Sequence, residues 1–104
     1  MAAFQKVLKK SELAVGRGKC VELQGKRIAV FNVDGNFFAI DDFCTHAGAS
    51  LADGAVVNSS AVECPWHGAQ FDLKTGEALT PPAYDKVKAY NVRLHGEDIE
   101  IETD

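Results

Sequence analysis

Long apolar runs are missing from this chain. No stretch approaches the ~20 residues that a helix needs to cross a bilayer, so the sequence offers no helical membrane span. The opening MAAFQKVLKK lacks the apolar core of a secretory signal, and the expected location is the cytoplasm. Positive charge is also short: 11 Lys and Arg stand against 15 Asp and Glu, for a formal net charge of -4. A chain of that sign would approach phosphates against repulsion, which speaks against a nucleic-acid partner. Cysteine is limited to three residues, and in a cytosolic chain these do not suggest a disulfide framework. Helical periodicity is scarce, and no internal repeat, linker or low-complexity tract interrupts the 104 residues. That length fits one domain, residues 1–104, with a modest core.

What is present is β-rich and closely punctuated. GKCVEL, RIAVFNV and FFAI follow one another through the glycine-containing turns QGK and DGN, a hairpin pattern. GAVV, AVE and QFDL follow, with turns at NSS and KTGE. LTPPAY is excluded from a sheet interior, because two prolines remove two donors. KVKAYNVRL predicts one alternating strand carrying Val87, Tyr90, Val92 and Leu94, and HGED turns it into IEI, where Ile99 and Ile101 face one way. A single helical turn is expected around KSEL, with Ser11 as its cap. The expected architecture is all-β, with eight to ten short strands in a small sandwich or barrel. The acidic residues gather at Asp41 and Asp42 and at the tail. These are expected on the solvated surface, where they could also steer the chain toward a basic partner.

Two mixed pairs carry the chemistry. Cys44 and His46 lie one residue apart, Cys64 and His67 lie two apart, and 17 residues separate the pairs. Four thiolate and imidazole ligands at such spacing indicate a metal. A structural zinc site usually pairs like ligands on each arm, whereas here each arm is mixed. A two-iron cluster with two cysteines on one iron and two histidines on the other suits mixed arms. Each loop then offers one ligand to each iron. Zinc stays open on these grounds alone, and colour would decide it.

The pattern Cys-x-His-x17-Cys-x2-His resembles the Rieske iron–sulfur family. It resembles most closely the small Rieske-type ferredoxins of bacterial aromatic-ring dioxygenase systems. FCTHAGASLADG is similar to the first ligand loop of that family, ECPWHGAQFDLKTG to the second, and LTPPAYDKVKAYNV to its proline loop and closing strand. The resemblance implies a Rieske (ISP) domain of stacked antiparallel sheets, with a small cluster-binding subdomain over about residues 43–80. It implies one 2Fe-2S cluster per chain, with Cys44 and Cys64 on one iron and His46 and His67 on the other. It also implies a role as a low-potential electron carrier that is not catalytic alone. The expected partners are a flavin-dependent ferredoxin reductase and a terminal oxygenase, each met transiently by a monomer. The alternative is a small Rieske subunit of a larger oxidoreductase such as nitrite reductase. A complete oxygenase subunit would need two further histidines for its own iron, and only His95 remains.

Departures from the family narrow this further. Members in respiratory and photosynthetic complexes carry one more cysteine in each ligand loop, paired in a disulfide. The matching positions here are Ala49 and Trp66. High-potential members also place a serine and a tyrosine after the second pair, and here these are Ala69 and Phe71, neither of which can donate through its side chain. The expected potential therefore lies near the low end of the Rieske range, roughly −150 mV rather than +300 mV. Trp66 is expected to pack against the ligand loops. Pro81 and Pro82 are expected to form a stiff cover over the cluster, and His95 to sit in a solvated turn. Cys20 is expected to be a small buried hydrophobe.

Overall fold

The computed structural model describes residues 3–42, 50–57, 60–65, 68–79 and 87–103. They form ten strands in three antiparallel sheets. β2 (Gly18–Leu23), β3 (Lys26–Val33), β4 (Asn36–Asp41) and β8 (Ala89–Tyr90) make the largest sheet, in that order. β1 (Ala3–Lys9), β10 (Asp98–Thr103) and β9 (Val92–His95) make a second, in the order β1-β10-β9. β5 (Ala55–Val57), β6 (Ala61–Glu63) and β7 (Gln70–Asp72) make the third.

The β2–β3 and β3–β4 hairpins have two-residue loops, since Leu23 pairs with Lys26 and Val33 with Asn36. Both loop residues adopt positive φ in each case: Gln24 at 53° with Gly25 at 78°, and Asp34 at 53° with Gly35 at 88°. That is the backbone twist that two-residue hairpins require, and it is why glycine holds the second position.

β3 explains the layering. Its last six residues are all buried, and side chains on a strand alternate between faces. Ala29, Phe31 and Val33 join a cluster with Ile40, Leu51, Val62, Cys64, Phe71 and Leu73. Ile28 and Val30 join a second cluster with Leu8, Leu13, Tyr90, Ile99 and Ile101. The four-stranded sheet is thus covered on both faces, by β5–β7 on one side and by the β1-β10-β9 sheet on the other.

Several sequence expectations change. KVKAYNVRL is not one strand: it breaks at Asn91, with β8 on β4 and β9 on β10. The chain changes sheets there, and Leu94 is left 43% exposed. The turn around KSEL is a 3-10 turn, Lys10–Glu12, flanked by Lys9 rather than capped by Ser11. Its first amide, that of Lys9, donates to Glu12 Oε1 at 2.8 Å. Cys20 is half-buried, not a core residue. β1 was not anticipated from the sequence.

Candidate metal centre

Of the four expected ligands, Cys64 is described; Cys44, His46 and His67 lie outside the described residues, as do Ala49, Trp66, Pro81 and Pro82. Cys64 follows β6 directly and is 2% exposed. It belongs to the same apolar cluster as Leu51, Val62, Ala69 and Phe71. Its amide donates to the Ala69 carbonyl at 2.6 Å. The chain therefore leaves and returns within four residues, and Gly68 supplies a left-handed φ of 72° on the way back. His67 is one of those four, so the second Cys-x2-His pair lies between two points that this hydrogen bond holds together.

The surroundings of Cys64 suit a metal-bound thiolate. An apolar wall disfavours a lone buried anion, whereas a thiolate that shares its charge with a cation is stable there. Ala69 and Phe71 are fully buried and bring no side-chain hydroxyl to this wall. A donor set of two thiolates and two imidazoles fits a 2Fe-2S cluster of the histidine-ligated kind. Among the described residues no group of three or more His, Cys, Asp or Glu is gathered for a metal ion, and three of the four expected ligands lie outside that set.

The segment bearing Cys44 and His46 also has both ends held. It starts from Asp42 and resumes at Ser50, and here the structure corrects the expectation of a solvated acidic pair. Asp42 is 2% exposed. Its Oδ1 accepts from Ser50 Oγ at 2.8 Å and from the Ala52 amide at 2.9 Å. Its Oδ2 shares that one Ser50 hydroxyl proton, with Oγ also at 2.8 Å, and lies 3.4 Å from Arg27 Nη2. Asp41 points to the opposite side of the strand, as alternation demands. Its Oδ1 accepts from the Tyr90 hydroxyl at 2.6 Å, and its Oδ2 accepts from the Lys88 amide at 3.3 Å. Both carboxylates thus engage partners of their own chain, Asp42 buried and Asp41 half-buried.

Another segment outside the described set, residues 80–86, is flanked in the same way. The Leu79 amide donates to Gln70 O at 2.8 Å, and the Val87 amide donates to Gly76 O at 2.9 Å. Sequence reasoning proposed the ligands but did not anticipate these ties. The one available hint was an acidic pair placed immediately before Phe43 and Cys44.

Two titrating groups near this end of the molecule are displaced. Burial pushes the Cys20 thiol up, against the opposing pull of Arg27, and Asp42 adds to the rise. Burial, and then the Asp41 carboxylate, push the Tyr90 phenol well above its ordinary range. His95 ends β9 instead of lying in the turn. Its side chain is 79% exposed, with Nδ1 3.6 Å from Glu100 Oε2.

Comparison with known proteins follows this geometry. Residues 3–91 match the Rieske [2Fe-2S] domain family. The 3-phenylpropionate/cinnamic acid dioxygenase ferredoxin subunit of Shigella boydii is 49% identical over 75 residues, which are 72% of this chain and 71% of that protein. Among solved structures, the Sphingomonas yanoikuyae B1 ferredoxin superposes with a TM-score of 0.89 at 31% identity, covering 98% of this chain and all of that one. The complex of reduced oxygenase and oxidized ferredoxin in carbazole 1,9a-dioxygenase contains a chain that superposes with a TM-score of 0.86 at 29% identity, covering 94% of this chain and 91% of that one.

Proposed function

This chain belongs to the Rieske [2Fe-2S] domain family, and on that premise we propose that it is the ferredoxin component of an aromatic-ring dioxygenase system. It passes single electrons from a flavin-dependent reductase to a terminal oxygenase and is not catalytic alone. The observation that carries this reading is the 49% identity to a dioxygenase ferredoxin subunit. The likeness to a chain from a complex of oxygenase and ferredoxin supports the same choice of partner. These relatives favour the free carrier over a nitrite-reductase small subunit.

When bound, the cluster accepts one electron and gives it up again. Cys44 and Cys64 hold one iron in this reading, and His46 and His67 the other. The buried position of Cys64 between β6 and β7 supports its part in that set. The cluster-binding subdomain spans about residues 43–80, and its described strands β5–β7 form a sheet of their own. The whole chain is one domain and acts as a monomer. The buried Ala69 and Phe71 side chains offer no hydrogen bond to sulfur, which favours a potential near the low end of the Rieske range, roughly −150 mV. Encounters with both proteins are brief, as is usual for electron-transfer interfaces below about 1,200 Å².

The protein purified without air tests this reading. It should be coloured, hold iron and sulfide in equal amounts, and give the spectrum of a histidine-ligated cluster once reduced. His46→Cys and His67→Cys should each change that spectrum. A colourless protein carrying zinc would refute the assignment.

A further inference from the structure

Asp42 is better placed than its exposed-looking sequence context implies. It is a buried carboxylate, and among the described residues its close partners come from the far end of one segment or from the neighbouring strand. Burying a carboxylate is costly unless its lone pairs are used, and here three donor groups use them: the Ala52 amide, the Ser50 hydroxyl and the Arg27 guanidinium. Two of those three come from residues 50 and 52. The backbone of Asp42 adds to the tie: its carbonyl accepts the Leu51 amide at 2.7 Å, and its amide donates to Arg27 O at 3.1 Å.

Residues 51–53 form a 3-10 turn with Ser50 at its N-cap position, yet the Ser50 side chain makes no capping bond to the turn. The amides that a cap would serve are taken by Asp42 instead, Leu51 by its carbonyl and Ala52 by its carboxylate. One residue on the near side of the Cys-x-His segment thus caps the turn on its far side.

That turn also touches the second arm. Leu51 is fully buried and shares its apolar cluster with Val62, Cys64 and Ala69. Fixing Leu51 therefore fixes where the first segment ends relative to Cys64. We propose that Asp42 is a positioning residue for the cluster: it closes the ends of residues 43–49 on each other and sets the spacing between the two ligand arms. This rests on the ligand assignment above. Arg27, mostly exposed at 65%, and the Cys20 thiol are the other charged or titratable groups facing this carboxylate. Neither reaches residues 50–52 among the described contacts, so the hydrogen bonds of Asp42 carry the tie.

The test compares cluster-loaded wild type, Asp42→Ala, Asp42→Asn and Ser50→Ala. Three quantities are measured: bleaching of visible absorption under a chelator, the low-temperature electron paramagnetic resonance spectrum of the reduced protein, and the melting temperature. Partners one step removed from a metal commonly change its retention by about 10–100-fold. Asp42→Ala should bleach about tenfold faster or more, with shifted resonance positions. Asp42→Asn keeps an acceptor for the Ala52 amide and should recover most of the wild-type rate and spectrum. Ser50→Ala, the milder cut, should fall between them and serves if Asp42→Ala does not fold. Bleaching and spectra equal to wild type in Asp42→Ala, or in Ser50→Ala where the former fails to fold, would overturn the proposal. Faster bleaching with an unshifted spectrum and a lower melting temperature would overturn it too, because that is general loosening. A wild-type protein that carries no cluster would instead sink the functional reading.

Discussion

Replacing Gly76 with alanine should be among the most damaging single-methyl additions to this protein. Gly76 closes the turn after β7, in the left-handed region at φ 80°. Its amide donates to Asp72 O at 2.8 Å, and its carbonyl accepts the Val87 amide at 2.9 Å. A Cβ built there would overlap the carbonyl oxygen of Val87 and crowd its carbonyl carbon. No rotamer relieves that overlap, since both partners are backbone or rigidly attached to it. The left-handed conformation costs alanine about 1 kcal/mol. Moving Val87 away loses one backbone hydrogen bond, about 1 kcal/mol, and pulls a side chain that is 4% exposed out of the core, for roughly another 1–2 kcal/mol. The total is about 3–4 kcal/mol, a large part of the 5–15 kcal/mol typical of a domain.

Gly96 supplies the control. It too has positive φ, 62°, but nothing lies within 4 Å of its built Cβ, so Gly96→Ala should cost only about 1 kcal/mol. At roughly 4–8 °C per kcal/mol for a domain of this size, Gly76→Ala should melt about 10–20 °C below Gly96→Ala. Thermal unfolding followed by circular dichroism on identically prepared holoproteins reads the difference. Melting temperatures within about 3 °C of each other would refute the overlap argument.

Two further outcomes follow from buried side chains. Ala69→Ser and Phe71→Tyr place hydroxyl donors in the cluster that holds Cys64. Each one that bonds to sulfur should raise the potential by roughly 60 mV, the equivalent of about 1.4 kcal/mol for one electron; protein-film voltammetry showing no rise in the double variant would count against the low-potential account. Tyr90 is held protonated by burial and by Asp41. Below about pH 10 both folded and unfolded chains keep this proton, and the full stability is present. Above it the unfolded phenol ionises while the folded one does not, so stability falls as pH rises. Tyr90→Phe should flatten that alkaline fall and cost about 1–2 kcal/mol at neutral pH. Urea melts across this pH range check both, and an equally steep alkaline fall in the variant would refute the assignment to Tyr90.

Local chemistry made some strands visible in the sequence and concealed others. The β2–β3–β4 hairpins were legible because Gln24-Gly25 and Asp34-Gly35 must turn, and the flanking residues favour strands. β1 was hidden by a register shift between Lys6 and Leu8. A bulge breaks the two-residue alternation by which a half-buried strand is recognised. The break at Asn91 was hidden for the opposite reason: apolar alternation runs on from Tyr90 to Val92 and Leu94 while the chain passes from one sheet to another. Periodicity reports which residues face inward but does not say which sheet they face inward from.

The site divides along the same line. Soft ligands are rare enough that two cysteines and two histidines at close spacing announce themselves. Carboxylates are common, and whether one is a solvated charge or a buried tie depends on strand register, which sequence does not display. Asp41 and Asp42 are identical in type and adjacent, yet strand alternation sends one to Tyr90 and the other to Ser50. An acidic pair beside a ligand segment therefore has two physical readings with opposite consequences. A surface charge would act at a distance and be screened by salt within about 10 Å. A buried carboxylate acts by contact, on the geometry of the segment it closes. Asp42 belongs to the second kind because it is 2% exposed and its acceptor sites are used by groups of its own chain. On the proposal above, Asp42 therefore acts through the shape of the site and not as a surface charge.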